Sequence, residues 1–208
     1  MRFRDTLILF AKAPRICRVK TRLWPALSHR ECLYFHRQAL RQLFLKFANK
    51  QHFNFKVYAT GSLQRFSLPY ITATNTQSGN DLGIRMHNAI QQELRCADRV
   101  VIIGSDCIQV NAAYIRAAFD CMTSKKDLVL GAANDGGYVL IGASKASRAL
   151  FNNTQWGSSS VYESTSNNAR ALGFNVHTLP TMIDVDTIED LTIMKEQDSL
   201  PAWAKKLV

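Results

Sequence analysis

Val100-Val101-Ile102-Ile103 is an unbroken β-branched run, and no other segment of the chain narrows the fold so far. Four such residues in a row favour strand over helix, and with no polar position to face water both faces of that strand must be covered. The run therefore predicts a central, parallel strand. Around it, apolar segments alternate with amphipathic ones. Strands are expected at Thr6–Ala11, Phe53–Thr60, Tyr70–Asn75, Asp127–Ala132, Val139–Ile141 and Phe174–Leu179. Helices are expected at Asp81–Leu94, Asn111–Met122 and Thr187–Lys195, and a further one opens at Ser28-His29-Arg30-Glu31. That tetrapeptide is a capping box, in which the serine oxygen meets an orphan amide and the glutamate reaches back. The helix it starts places Leu33, His36, Leu40, Phe44 and Phe47 on one stripe. Strand–helix alternation of this kind predicts a three-layer α/β/α fold with a mostly parallel central sheet, built as one domain over residues 1–208. In such sheets ligands bind beyond the carboxyl ends of the strands.

Apolar residues make up 47% and charged residues 20% of the 208, which excludes wholesale disorder. No apolar run approaches the roughly 20 residues needed to span a bilayer. The basic start and the apolar Thr6–Ala11 mimic a signal peptide, but Asp5 interrupts the one and the other falls short of the usual apolar core of about 7–15 residues. The segment reads as a strand, and the expected compartment is the cytoplasm. Five cysteines, Cys17, Cys32, Cys96, Cys107 and Cys121, form neither an even set nor a zinc-type spacing. Reduced thiols are expected.

The charge is unevenly placed. Residues 1–56 hold 13 Lys and Arg against 2 Asp and Glu, while residues 57–208 hold 13 against 14, so the first quarter carries the whole formal excess of +10. It is densest at Lys12, Arg15, Arg18, Lys20 and Arg22. Such a cluster calls for an anion, either a phosphorylated small molecule or a nucleic-acid backbone. No glycine precedes Gly61, so a glycine-rich phosphate loop is absent and any phosphate here must be held by side chains.

Three more constellations sit after expected strands. Gly104-Ser105-Asp106-Cys107 follows the strongest strand, and an aspartate there suits Mg²⁺ or Mn²⁺, or simply a turn. Asn134-Asp135-Gly136-Gly137-Tyr138 offers a close approach to a ligand or a plain hairpin turn. Asp184-Val185-Asp186-Thr187 could supply a second carboxylate to the ion or cap the last helix. Placed together at strand ends, these residues point to a metal-assisted reaction of a phosphorylated compound.

Phe10-Ala11-Lys12-Ala13-Pro14 with Val19-Lys20-Thr21-Arg22-Leu23 resembles the opening motif of a bacterial glycosyltransferase-like family in the GT-A superfamily of nucleotide-diphospho-sugar transferases. Its members are associated with radical-SAM and selenoprotein modules. Gly79-Asn80-Asp81-Leu82-Gly83-Ile84-Arg85-Met86, Gly104-Ser105-Asp106-Cys107, the segment Asp135–Gly142, Trp156 and the segment Asp184–Leu191 continue the likeness in order. A more distant likeness is to phospholactate guanylyltransferase. The resemblance implies a GT-A-like fold and a divalent ion, Mg²⁺ or Mn²⁺, on Asp106 and Asp186. It implies phosphate contacts from Lys12, Lys20 and Arg22, a nucleotide lying against Gly79, Asp81, Gly83 and Arg85, and a sugar or acceptor facing Asp135, Gly136, Gly137 and Tyr138. Lys20, Asp106 and Asp135 are the candidate catalytic residues, with Asp135 placed to activate an acceptor hydroxyl. The sequence departs from the family pattern at Ile16-Cys17, Ile108 and Ala132, where proline-glycine, proline and proline are usual. Cys17 in place of glycine cannot take a positive φ without strain.

The leading expectation is a metal-dependent transferase acting on a nucleotide sugar. A nucleotidyltransferase joining a nucleoside triphosphate to a phosphorylated acceptor uses nearly the same parts. A non-catalytic domain that binds an anion, a nucleic acid or a partner through the basic first quarter is the third reading, but no RNA- or DNA-binding signature accompanies the charge. A nucleotide or nucleotide sugar is thus the expected partner.

Overall fold

The computed structural model describes residues 4–48, 52–63 and 74–208. Strand β1 (Asp5–Ala11) leads through a short 3₁₀ turn (Thr21–Leu23) to α1 (His29–Phe47) and β2 (Asn54–Ala59). There follow β3 (Asn75–Thr76), α2 (Leu82–Glu93), β4 (Arg99–Gly104), α3 (Ala112–Asp120) and the β5 (Asp127–Ala133) and β6 (Tyr138–Ala143) pair. A second 3₁₀ turn (Arg148–Phe151), α4 (Val161–Ala171), β7 (Asn175–Met182) and α5 (Ile188–Glu196) complete the order. The expected strand at Tyr70–Asn75 falls partly outside the described residues; the strand seen there is β3.

Among the described residues seven strands join one sheet in the order β3-β2-β1-β4-β6-β5-β7. Pairings β1–β2, β2–β3, β1–β4 and β5–β7 are parallel, whereas β6 runs antiparallel to both β4 and β5. The expectation for Val100–Ile103 therefore needs one correction. The strand is central, but it is parallel only toward β1. A strand covered on both faces is apolar throughout whichever way its neighbour runs, so its own sequence does not report that direction.

Side-chain alternation sorts the core into layers. Leu7, Leu9, Val101 and Ile103 face one way with Leu40, Leu43, Phe44 and Phe47 of α1 and Tyr114, Ile115, Ala118 and Phe119 of α3. Ile8, Phe10, Val100 and Ile102 face the other way with Met86, Ala89 and Ile90 of α2 and Ala169 of α4. A third cluster ties Leu23, Leu27 and Phe35 to Val185, Leu191 and Met194, pinning the basic loop against the last helix. The Ser28 capping box forms as expected, with Glu31 accepting from the Ser28 amide at 2.8 Å. All five cysteines are free. Among the described residues no helix is long and apolar enough to cross a membrane.

Candidate active site

A cleft of about 440 Å³ opens at the carboxyl ends of β1, β2 and β4 and the amino end of β6. Its apolar lining includes Phe10, Ala11, Leu82, Met86, Tyr138 and Trp156, with Thr60, Gln77, Arg85 and Ser158 among its polar groups. Lys12 and Arg22 bring cations to it, and Asp106, Asp135, Asp184 and Asp186 bring carboxyl groups.

The loop after β1 is drawn inward because Val19 and Leu23 are buried on either side of Lys20. Lys20 adopts a left-handed backbone, φ 51° and ψ 44°, which turns its side chain into the protein. The ammonium is only 2% exposed and lies 2.9 Å from Asp106 Oδ1 and 3.5 Å from Asp186 Oδ1. It also donates to the Val185 carbonyl and sits over the Phe35 ring at 5.6 Å. Burial alone would pull its pKa down; Asp106, Asp184 and Asp186 more than offset that and hold it above the usual lysine value. Arg22 grips the far side of Asp186, Nη1 to Oδ2 at 3.1 Å, and donates to the Gly157 carbonyl at 3.4 Å.

Asp106 sits where β4 ends. Burial pushes its carboxyl up, but Lys20 and His36 carry it below the ordinary value. His36, buried on α1, donates through Nε2 to the Lys12 carbonyl at 2.9 Å and leaves Nδ1 3.9 Å from Asp106 Oδ1. Burial keeps that imidazole neutral to lower pH than usual. Asp184 is the opposite case to Asp106. Burial, then the charges of Asp106, Asp186 and Asp135, push its carboxyl up to about 8 despite Lys20. Asp190 fixes the segment from below: its Oδ2 accepts from the Asp186 amide at 2.9 Å and the Thr187 amide at 2.8 Å, and its Oδ1 accepts from Asn134 at 3.1 Å.

The structure thus gathers Lys12, Lys20, Arg22, Arg85, Asp106, Asp135, Gly137, Tyr138 and Asp186 around one cleft. It gives other expected contacts packing roles. A Cβ on Gly83 would come within 2.5 Å of Phe151 Cβ and 2.7 Å of Trp156, so glycine there lets α2 close against the second 3₁₀ turn. A Cβ on Gly136, which has φ +84°, would meet the Ser159 carbonyl at 2.1 Å. Gly79 meets Ile84 in the same way, at 2.7 Å. Asp81 caps α2 by accepting from the Ile84 amide at 2.9 Å, and Arg85 Nε donates to the Gly79 carbonyl at 2.9 Å. Asp135 does both things its sequence allowed: Oδ1 accepts from the Gly137 amide at 2.9 Å, as a turn residue does, while the side chain lines the cleft. The Tyr138 hydroxyl is buried, and its pKa is raised by that burial.

Sequence reasoning assigned no role of its own to Gln77, Asp184 or His36. Asp184 was visible only inside a motif. His36 stood in an otherwise apolar stripe, where a polar group must have a buried partner. Gln77 carried no signal.

Among the described residues no three His, Cys, Asp or Glu side chains are grouped to cage a metal on their own. The donor set fits a different kind of site. Lys20 shows that a cation is held between Asp106 and Asp186, 2.9 and 3.5 Å from their Oδ1 atoms. Two hard carboxylates completed by substrate phosphate oxygens are what Mg²⁺ commonly uses.

The family described as "Uncharacterized protein conserved in bacteria (DUF2064)" matches residues 39–158. No curated protein matches the sequence. Among solved structures, a candidate nucleotide-diphospho-sugar transferase from Desulfovibrio desulfuricans G20 is 27% identical with a TM-score of 0.87, over 98% of this chain and 93% of its own. A cytidylyltransferase from Leptospira borgpetersenii serovar Hardjo-bovis is 14% identical with a TM-score of 0.57, over 99% of this chain and 92% of its own. Glucosyl-3-phosphoglycerate synthase from Mycobacterium tuberculosis, solved with Mg²⁺ and UDP, is 12% identical with a TM-score of 0.56, over 94% and 76%. The last two similarities speak for the fold alone. The expected GT-A-like α/β architecture is borne out.

Proposed function

The chain belongs to the bacterial DUF2064 family, and on that premise we propose that its 208 residues act as one domain, a divalent-metal-dependent transferase that moves a glycosyl group from a nucleotide sugar to a hydroxyl acceptor. The observation that carries this reading is one cleft lined by apolar side chains, by the cations Lys12 and Arg22, and by the carboxylates Asp106, Asp135 and Asp186. A nucleoside suits the apolar lining, its diphosphate the cations, and a hydroxyl acceptor a carboxylate. An already ionised phosphate acceptor would be repelled by Asp135, which favours glycosyl over nucleotidyl transfer. The 27% identity to the Desulfovibrio protein supports the same class.

Asp106 and Asp186 would hold the Mg²⁺ or Mn²⁺, and the ion when bound would supply charge to the diphosphate leaving group. Lys12 and Arg22 face that diphosphate from the loop after β1, Arg22 with a fork suited to phosphate. Lys20, buried beside both carboxylates, would supply a third cation near the phosphates. Arg85 also lines the cleft. Asp135 keeps Oδ1 on the Gly137 amide, leaving Oδ2 to take the acceptor's proton. Trp156 and Tyr138 add aromatic lining to the same cleft.

Calorimetric titration of nucleoside diphosphates with and without Mn²⁺ tests the proposal. Asp106→Asn and Asp186→Asn are each expected to weaken metal and nucleotide together, by roughly tenfold or more, because both ligands meet at one bridged site. Asp135→Asn should leave donor affinity near wild type while turnover of a nucleotide sugar falls about 10²–10⁴-fold. Metal and nucleotide affinities that stay unlinked in both metal-site variants would remove the metal site, and full activity in Asp135→Asn would remove the base.

A further inference from the structure

We infer that Gln77 reads the nucleobase, selecting a base with a protonated ring nitrogen, uracil or guanine, over cytosine and adenine. The inference rests on the nucleotide reading above and deepens it.

Gln77 follows β3, and its amide continues the ladder by donating to the Ala59 carbonyl at 3.1 Å. Its side chain reaches across the ends of two strands. Nε2 donates to the Ala11 carbonyl at 3.0 Å and to the Tyr58 carbonyl at 2.9 Å. A side-chain amide has two N–H donors and one carbonyl acceptor. Both donors are spent, and the assignment of nitrogen against oxygen is fixed, because an oxygen in that place would face two backbone acceptors. What remains is Oε1. Among the described residues no donor reaches it, it is not among the buried polar atoms left without partners, and Gln77 lines the cleft.

Its surroundings are those of a base rather than a phosphate. Phe10, Ala11, Leu82 and Met86 line the same cleft, and Leu82 is 41% exposed at the start of α2. Arg85 Nε is committed to the Gly79 carbonyl. An anchored acceptor therefore shares its cleft with an open apolar side chain. The ring N–H of uracil or guanine completes it. Cytosine and adenine present a ring acceptor at that place, which leaves two acceptors opposed and unpaired, and sites of this kind reject the unmatched partner strongly.

The test is calorimetric titration of UDP, GDP, CDP and ADP, in Mn²⁺, against the full chain and against Gln77→Met, which keeps the length of the side chain and removes the acceptor. The wild-type protein is expected to bind UDP or GDP about tenfold or more tightly than CDP and ADP, and the variant to bind all four within about threefold. Inorganic pyrophosphate should bind both proteins alike, which separates loss of base reading from loss of folding. A second arm needs no variant: UDP and GDP methylated on the ring nitrogen should bind the wild-type protein about tenfold more weakly than their parents. Equal wild-type affinity for the four nucleotides, a preference that survives Gln77→Met, or indifference to methylation overturns the inference while leaving nucleotide binding intact. Failure of all four nucleotides to bind overturns the nucleotide reading itself, and this inference with it.

Discussion

Cys17 shows how a single position can keep a backbone its side chain does not favour. It is the third residue of a turn closed by the Arg18 amide on the Arg15 carbonyl at 3.1 Å, and its φ is 59°. A positive φ at that place in a turn is ordinarily filled by glycine. The sequence led to the expectation that cysteine could adopt it only with strain, and the loop indeed keeps the glycine-like conformation with cysteine in it. Two left-handed residues, Cys17 and Lys20, therefore bracket Arg18 and Val19 in the basic loop. Cys17→Gly is expected to stabilise the protein by about 0.5–1 kcal/mol, the relief of left-handed strain less the added freedom of the unfolded chain. Urea denaturation measures it; an unchanged or lower midpoint would mean the thiol's 3.3 Å contact with His29 Nδ1 outweighs the strain. The Lys20 ammonium teaches a related lesson. Its charge was legible, but its burial between two carboxylates distant in sequence depends on the tertiary placement of Val185 and Asp186, which no local pattern records.

At the scale of elements, legibility followed how each one is buried. β1 and β4 were readable because both faces are covered and every residue is apolar or nearly so. α1 was readable from its cap and stripe. α4 escaped notice because its sequence, VYESTSNNARA, is rich in serine and asparagine and its buried face includes Thr165 and Ser166. Its N-cap, Ser160, makes no side-chain capping bond, so the start signal was missing and the helical period ran through small polar residues rather than an apolar stripe. The direction of β6 was hidden for the reason already given for β4. Asp127, which opens β5, illustrates what joins these elements. Its carboxylate accepts from the Thr123 and Ser124 amides at 2.9 and 2.6 Å, from Asn175 at 3.1 Å and from His177 at 3.2 Å, tying β5 to the preceding turn and to β7. Burial alone would raise its pKa; the hydrogen bonds from Asn175, His177 and Ser124 overcome that and hold it well below the ordinary 3.8. The folded state thus favours the ionised form. Its contribution is complete above about pH 4, and it drains away as pH falls from there through the depressed folded value. Asp127→Asn should cost about 2 kcal/mol at pH 7, the scale for hydrogen bonds to a charged group. Urea melts at pH 7 and pH 3 check this: the gap between variant and wild type should narrow at the lower pH, and a gap that widens would contradict the assignment.

Across the whole molecule, the charge asymmetry and the fold describe one design. The first quarter of the chain, 13 Lys and Arg against 2 Asp and Glu, supplies β1, its basic loop and α1, and the loop meets carboxylates delivered from the ends of β4 and β7. The cation-rich and anion-rich parts of the site thus come from opposite ends of the sequence, and the third apolar cluster holds those ends together. A ligand that bridges them is bound by the folded chain alone, since the unfolded chain disperses its contacts. Mass action then links binding to stability: at 100 times its dissociation constant a ligand adds about 2.7 kcal/mol. For a chain of about this length 1 kcal/mol moves the melting temperature by roughly 2–4 °C, so saturating nucleotide with Mn²⁺ should raise it by about 5–10 °C. On the proposed reading the shift should need both components, because Asp106 and Asp186 alone would leave a divalent ion short of oxygen ligands and the ion would neutralise charge on the phosphates. A nucleoside lacking phosphates should move the melting temperature little with or without Mn²⁺. If it moved it as far as the diphosphate does, the cations of the first quarter would be balancing the carboxylates of the last rather than holding a ligand between them.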